Sequence, residues 1–238
     1  MKAYSAIAKS YEYLQNDYDY EKWSQFVCDS VKDAPSKNGV DVGAGTGLIT
    51  ISLFKAGYKV CGTDISDEML NIAYEKSNGQ IAFYKQSAEK FSGFRDLGFV
   101  TAVNDVVNYL SPKKTIDFFG RVYKSLLPKG KFVFDISSEY KLKKVLGNEV
   151  FTCDEEDVSY IWSNDLKKDR VNMFLTVFTK TEDGKYERGE EFHTQYIHSK
   201  DFILSELKKL GFIVKVTAEY GKKLSPKSLR LIFTCEKN

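Results

Sequence analysis

Apolar positions along this chain recur in two rhythms. Over residues 3–31 they fall three and four apart: Ala3, Ile7, Ala8, Tyr11 and Leu14, then, after an acidic, tyrosine-rich break, Trp23, Phe26, Val27 and Val31. That spacing places them on one face of a helix. From Val40 onward, short continuous apolar runs alternate with helical ones. The run "VDV" (40–42) predicts a buried strand, and Leu48, Ile51, Leu53 and Phe54 predict a helix that Gly57 stops. Residues 58–64 predict a second strand. Ser66 predicts an N-cap, with Asp67 and Glu68 in the first turn, near the positive end of a helix carrying Met69, Leu70, Ile72 and Ala73. Strands at 80–87 and 97–105, a helix opening at Ser111-Pro112, a turn at 127–130 and a strand at 131–137 continue the series. Strands apolar on both faces, alternating with helices, imply βαβ units and a doubly wound parallel sheet, an α/β fold.

Around Phe151 the rhythm changes. Residues 157–164, 170–181 and 185–198 predict three strands joined by short polar turns, an antiparallel meander inserted into the α/β domain. A helix at 199–212 follows, capped by Ser199 and stopped by Gly211, and then strands at 212–220 and 228–237 that would pair as a hairpin at a sheet edge. The expected organisation is an N-terminal helical cap over 1–35, an α/β domain made of 36–149 and 199–238, and a β lid over 150–198.

Composition narrows the function classes. The chain has 238 residues, 42% of them hydrophobic and 29% charged, enough for a substantial globular core. With 35 basic and 33 acidic side chains the net charge is +2, which gives no support to bulk electrostatic capture of nucleic acid. Cys28, Cys61, Cys153 and Cys235 lie far apart without a CxxC pair, so metal-site spacing is absent and no metal is expected. They read as reduced thiols. No run approaches the length of a membrane span and the N-terminus lacks an apolar leader-like core, so the expected location is cytoplasmic, with no membrane partner.

The chemistry concentrates in "NGVDVGAGTGLIT" (38–50), where Asp41 precedes glycines at 43, 45 and 47. Bare backbone at the end of a strand lets a ligand approach closely. The phosphate-cradling pattern G-x-x-x-x-G-K-[ST] does not occur. The dinucleotide pattern G-x-G-x-x-G would need its third glycine at position 48, which is Leu48.

The string V-D-V-G-A-G-T-G does resemble the first motif of the class I S-adenosylmethionine-dependent methyltransferases, and the resemblance extends over residues 36–137 and 199–238. It implies S-adenosylmethionine as cofactor and a Rossmann-like seven-stranded sheet of order 3-2-1-4-5-7-6. It also implies that Asp64, in "GTDIS", binds both ribose hydroxyls, a role suited to the two acceptor oxygens of a carboxylate. Ile65 would lie on the adenine face. The cofactor set it implies is Asp41, Gly43, Ala44, Gly45, Gly47, Asp64, Ile65, Met69, Ser87, Ala88 and Asn104. The chain is similar to a bacterial branch with an aromatic N-terminal helix, which adds Tyr11, Tyr20 and Trp23 near the sulfonium. Two positions where the family commonly carries acids are Ser87 and Gly98 here.

Asp105, Asn108 and Tyr109 follow the fourth strand and are expected to shape the acceptor site, with His193, in "EEFHTQY", as a further catalytic candidate. His198 reads as a surface or lid histidine. The N-P-P-Y and D-P-P-Y strings of amino-directed nucleic-acid methyltransferases are missing, which favours a small-molecule acceptor while leaving RNA or a protein side chain open. The alternative to an enzyme is a non-catalytic S-adenosylmethionine-binding sensor or scaffold.

Overall fold

A computed structural model describes residues 19–238. Tyr11 lies outside the described residues. Helix α1 (Tyr20–Val31) is capped by Asp19, whose side chain accepts from Lys22 N, and its i, i+4, i+8 residues Trp23, Val27 and Val31 face the core. The chain then alternates: β1 (Asn38–Val42), α2 (Leu48–Lys55), β2 (Lys59–Asp64), α3 (Asp67–Lys76), β3 (Phe83–Lys85), β4 (Leu97–Ala102), α4 (Pro112–Ser125) and β5 (Leu126–Ser137). Four strands follow, β6 (Val150–Asp154), β7 (Val158–Leu166), β8 (Arg170–Lys180) and β9 (Tyr186–Tyr196), and then α5 (Lys200–Leu210), β10 (Phe212–Thr217) and β11 (Arg230–Lys237).

The large sheet has the order β3-β2-β1-β4-β5-β11-β10. Strands β1 to β5 pair in parallel, while β11 runs antiparallel to both β5 and β10. This is the expected order 3-2-1-4-5-7-6, with the terminal hairpin as sixth and seventh strands. The second sheet is an antiparallel meander of four strands, β6-β7-β8-β9, rather than three. Its first member, "VFTCD", is a short edge strand with an alternating exposure pattern, which gave no continuous apolar signal. Ser66 caps α3 by accepting from Met69 N, and Ser199 caps α5 by accepting from Phe202 N, as expected. Two boundaries moved. Only three residues of the expected 80–87 strand pair with β2 at the sheet edge. The "LPKG" segment, expected as a turn, lies within β5.

One face of the sheet carries an aromatic core in which Phe118, Phe119, Phe132, Phe134 and Phe233 are fully buried, and Phe134 stacks on Phe233 at 4.8 Å. On the other face Trp23, Val27 and Val31 of α1 pack with Ile49, Leu53 and Phe99. Gly98 explains itself here. A Cβ at that position would stand 1.9 Å from the carbonyl oxygen of Ser36, where the chain crosses β4. Its absent side chain is a packing requirement. Gly98→Ala should therefore destabilise the protein by about 3 kcal/mol, because the obstacle is backbone and not a side chain that can swing away. Urea denaturation checks it, and a loss under about 0.5 kcal/mol would mean that the crossing segment gives way. Among the described residues no helix is long and apolar enough to cross a membrane.

Candidate functional site

A cavity of about 270 Å³ opens beyond the carboxyl ends of β1, β2 and β4, beside the point where strand order reverses. Its floor is the glycine loop. Gly43 N and Ala44 N both donate to Thr63 O, at 2.7 and 2.9 Å, which folds the loop back over β2. Gly43 has φ +72°, and a Cβ there would stand 2.3 Å from Val106 Cγ2, so only glycine lets the loop and the opposite wall meet. Gly47 is not on the wall. It occupies the left-handed N-cap position from which α2 starts, with φ 82°.

Asp64 closes the β2 side of the cavity. Its Oδ2 accepts from Gly45 N at 2.9 Å and its Oδ1 from Ser66 N at 3.0 Å, so both oxygens are fixed while each keeps lone-pair capacity toward the cavity. Burial pushes this carboxyl up, and the backbone N–H groups oppose that. Beside it Ile65 is 48% exposed, an apolar side chain at the cavity mouth, with Met69, Ser87 and Ala88 continuing the wall. Tyr20 reaches the cavity from the start of α1. Trp23, one turn on, does not: it is 1% exposed, stacked on Phe26 at 5.6 Å and edge-on to Tyr220. Trp23, expected near the cofactor, is instead placed in the core by the helical face it occupies.

Asp41 is also off the wall. It is buried, its Oδ2 accepts from Thr50 Oγ1 at 2.6 Å and its Oδ1 from Thr101 Oγ1 at 2.7 Å, so it ties β1 to α2 and β4 beneath the loop. Burial raises its carboxyl from 3.8 to about 6, against the pull of the two threonines. Since the folded state keeps this proton to higher pH than the unfolded chain, the contribution is favourable below 3.8 and is lost as pH rises through about 6. His193 works in the opposite sense: burial lowers it from 6.5 to about 4, so its contribution is gained as pH rises through that window. The stability of Asp41→Asn relative to the parent should accordingly shift in the variant's favour by roughly 2 kcal/mol between pH 4 and pH 7. Denaturant unfolding at the two pH values measures this, and a pH-independent difference would refute a raised Asp41.

The opposite wall is the exit of β4, with Asn104, Val106, Tyr109 and Leu110. Asp105 and Asn108, expected to shape the acceptor site, turn away from the cavity. Asn108 is fully buried; its Oδ1 accepts from Ser137 N at 2.9 Å and its Nδ2 donates to Tyr196 O at 3.0 Å, joining the β4 exit to β5 and to the end of β9. Asp105 accepts from Ser137 Oγ and from both terminal nitrogens of Arg230. Arg230 also pairs with Asp135. Burial would raise Asp105, but Arg230 and Lys141 outweigh it and hold the carboxyl low. The Arg230–Asp135 pair was not foreseen; both charges are buried, one at the start of β11 and one within β5, and a buried charge demands a partner.

His193 lies on the inner face of β9 at 8% exposure, edge-on to Tyr109 with ring centroids 6.0 Å apart and Nε2 3.9 Å from Glu191 Oε2. The second sheet thus meets the cavity wall at Tyr109. His198, expected at the surface or in the lid, lies at the end of the 150–198 segment and is buried, with its Nε2 3.0 Å from Leu110 O.

Bare glycine backbone, a fixed carboxylate with lone-pair capacity toward the cavity, and an exposed apolar side chain beside it have the chemistry to receive a diol next to a flat apolar ring. Comparison with known proteins agrees. A methyltransferase domain family model matches residues 40–130. A Geobacillus protein named as a methyltransferase is 34% identical over 98% of this chain and 99% of its own. The crystal structure of an S-adenosylmethionine-dependent methyltransferase from Clostridium acetobutylicum superposes with a TM-score of 0.90 at 27% identity, covering 99% of both chains. A sugar N-methyltransferase from Streptoalloteichus shares the fold at a TM-score of 0.80 and 14% identity, over 97% of this chain and 92% of that one. With cavity, sheet order and relatives in agreement, the chain belongs to the S-adenosylmethionine-dependent methyltransferases.

Proposed function

We propose that the protein transfers the cofactor's methyl group to a small molecule through an amine or hydroxyl. When bound, S-adenosylmethionine supplies an activated methyl on sulfur; the chain's own work is to bind, orient, exclude water and accept a proton. Asp64 would hold the ribose diol, Ile65, Met69, Ser87 and Ala88 the adenine, and the loop Gly43–Gly45 with Asn104 the amino-acid tail. Tyr20 would close the site from α1. Asp41 and Gly47 act beneath the loop, shaping it without touching ligand.

The observation that carries the acceptor reading is the meeting of Tyr109 with His193 under the lid. His193 stands behind Tyr109 and does not itself line the cavity; burial keeps its imidazole neutral at ordinary pH, so its ring would take a proton from an attacking amine or hydroxyl that reaches it past Tyr109. A carboxylate acceptor would need no such base. The fold shared with a sugar N-methyltransferase accommodates a nitrogen acceptor on a small polar molecule. The test is transfer of labelled methyl from S-adenosylmethionine into a cell extract separated by size. Label in the low-mass fraction supports this reading, and label confined to RNA or protein overturns it.

A further inference from the structure

The cavity wall opposite Asp64 begins with two consecutive side-chain-bearing residues in left-handed backbone, Asn104 at φ 64° and Asp105 at φ 67°. Such backbone persists only where its surroundings over-determine it. Here the surroundings are charged. Asp135 Oδ1 accepts from Asn104 N at 2.6 Å and its Oδ2 from Asp105 N at 3.3 Å, so one carboxylate holds both strained amides. Arg230 pairs with that carboxylate from β11 and grips the Asp105 carboxylate with two nitrogens, at 3.0 and 3.3 Å. Asp135 is fully buried and Arg230 is 6% exposed.

We infer that Arg230 and Asp135 are positioning residues that set the left-handed exit of β4 and thereby shape the part of the pocket that receives the cofactor's amino-acid tail. This rests on the cofactor placement proposed above. The sheet order β2-β1-β4 puts Asp64 on one side of the glycine loop and residues 104–106 on the other. A nucleoside held at Asp64 therefore extends its sulfur and tail across the loop toward Asn104. Among the described residues the Oδ1 of Asn104 is buried without a hydrogen-bond partner, an acceptor with unmet capacity beside that end of the cavity. Arg230 and Asp135 do not line the cavity, so their influence on ligand passes through the backbone they fix.

The test is calorimetric titration with two ligands that differ only at the tail end: S-adenosylhomocysteine, which has it, and methylthioadenosine, which keeps the nucleoside alone. Arg230→Lys retains the charge but not the two-nitrogen grip, and it should weaken S-adenosylhomocysteine about ten-fold while leaving methylthioadenosine within about two-fold. Asp135→Asn should do the same. Asn104→Gly suits the left-handed backbone, removes the amide, and should reproduce the selective loss even if the charged variants unfold. Equal loss of both ligands, or loss of neither, overturns the inference while the cofactor site stands. A parent protein that binds neither ligand removes the cofactor placement and the inference with it.

Discussion

Asp64→Ala is expected to weaken S-adenosylmethionine binding by at least about 100-fold, because two hydrogen bonds to a charged group are lost together. The carboxylate is not a mobile surface acid. Gly45 N and Ser66 N hold one oxygen each, so the two remaining lone-pair directions are fixed before ligand arrives and the diol pays little to align with them. Removing the side chain also releases Gly45 N, which loosens the loop that the ligand must lie against. Asp64→Asn separates these effects: it keeps one acceptor oxygen and should fall between parent and alanine. Calorimetry reads both variants, and an alanine variant that binds within ten-fold of the parent would take the ribose away from Asp64.

His193→Ala should lower kcat by about 10²-fold or more with cofactor affinity within about two-fold of the parent, the pattern of a group used in chemistry and not in cofactor binding. The pH profile gives an independent readout. A histidine with an ordinary titration would switch off turnover near pH 6.5, whereas the buried ring at about 4 keeps its lone pair until the solution is much more acidic. The acidic limb of kcat should therefore lie near pH 4. Equal turnover in His193→Ala would assign proton removal to solvent or to the acceptor itself.

Much of the fold was legible because its signals are local. The N-caps at Ser66 and Ser199, the stop at Gly211 and the apolar strands each depend on neighbours within a turn or two. The glycine loop and Asp64 were legible for the same reason: both sit at strand ends whose positions the alternation fixes. What stayed hidden depends on distant partners. Tyr20 and Trp23 share one helix, three residues apart, and only the packing of that helix on Ile49 and Phe99 decides that Tyr20 reaches the cavity and Trp23 the core. Asp105 and Asn108 have the residue types of a substrate site, yet their partners, Arg230 and Tyr196, arrive from elsewhere in the chain. Gly98 looked like a missing acid until the path of Ser36 across it was known.

The link from Arg230 to the β4 exit also dictates when the pocket can exist. Arg230 opens the last strand, 125 residues beyond Asp105 and 95 beyond Asp135. Such long-range pairings form late, since the intervening chain must be ordered first. On a ribosome, the nucleoside half of the site around Asp64 is translated while the residue that sets the other half has yet to be made. If Arg230 sets that half of the pocket, chains cut short before Arg230 should bind cofactor more weakly than chains that extend past it, and cofactor should selectively stabilise the longer ones.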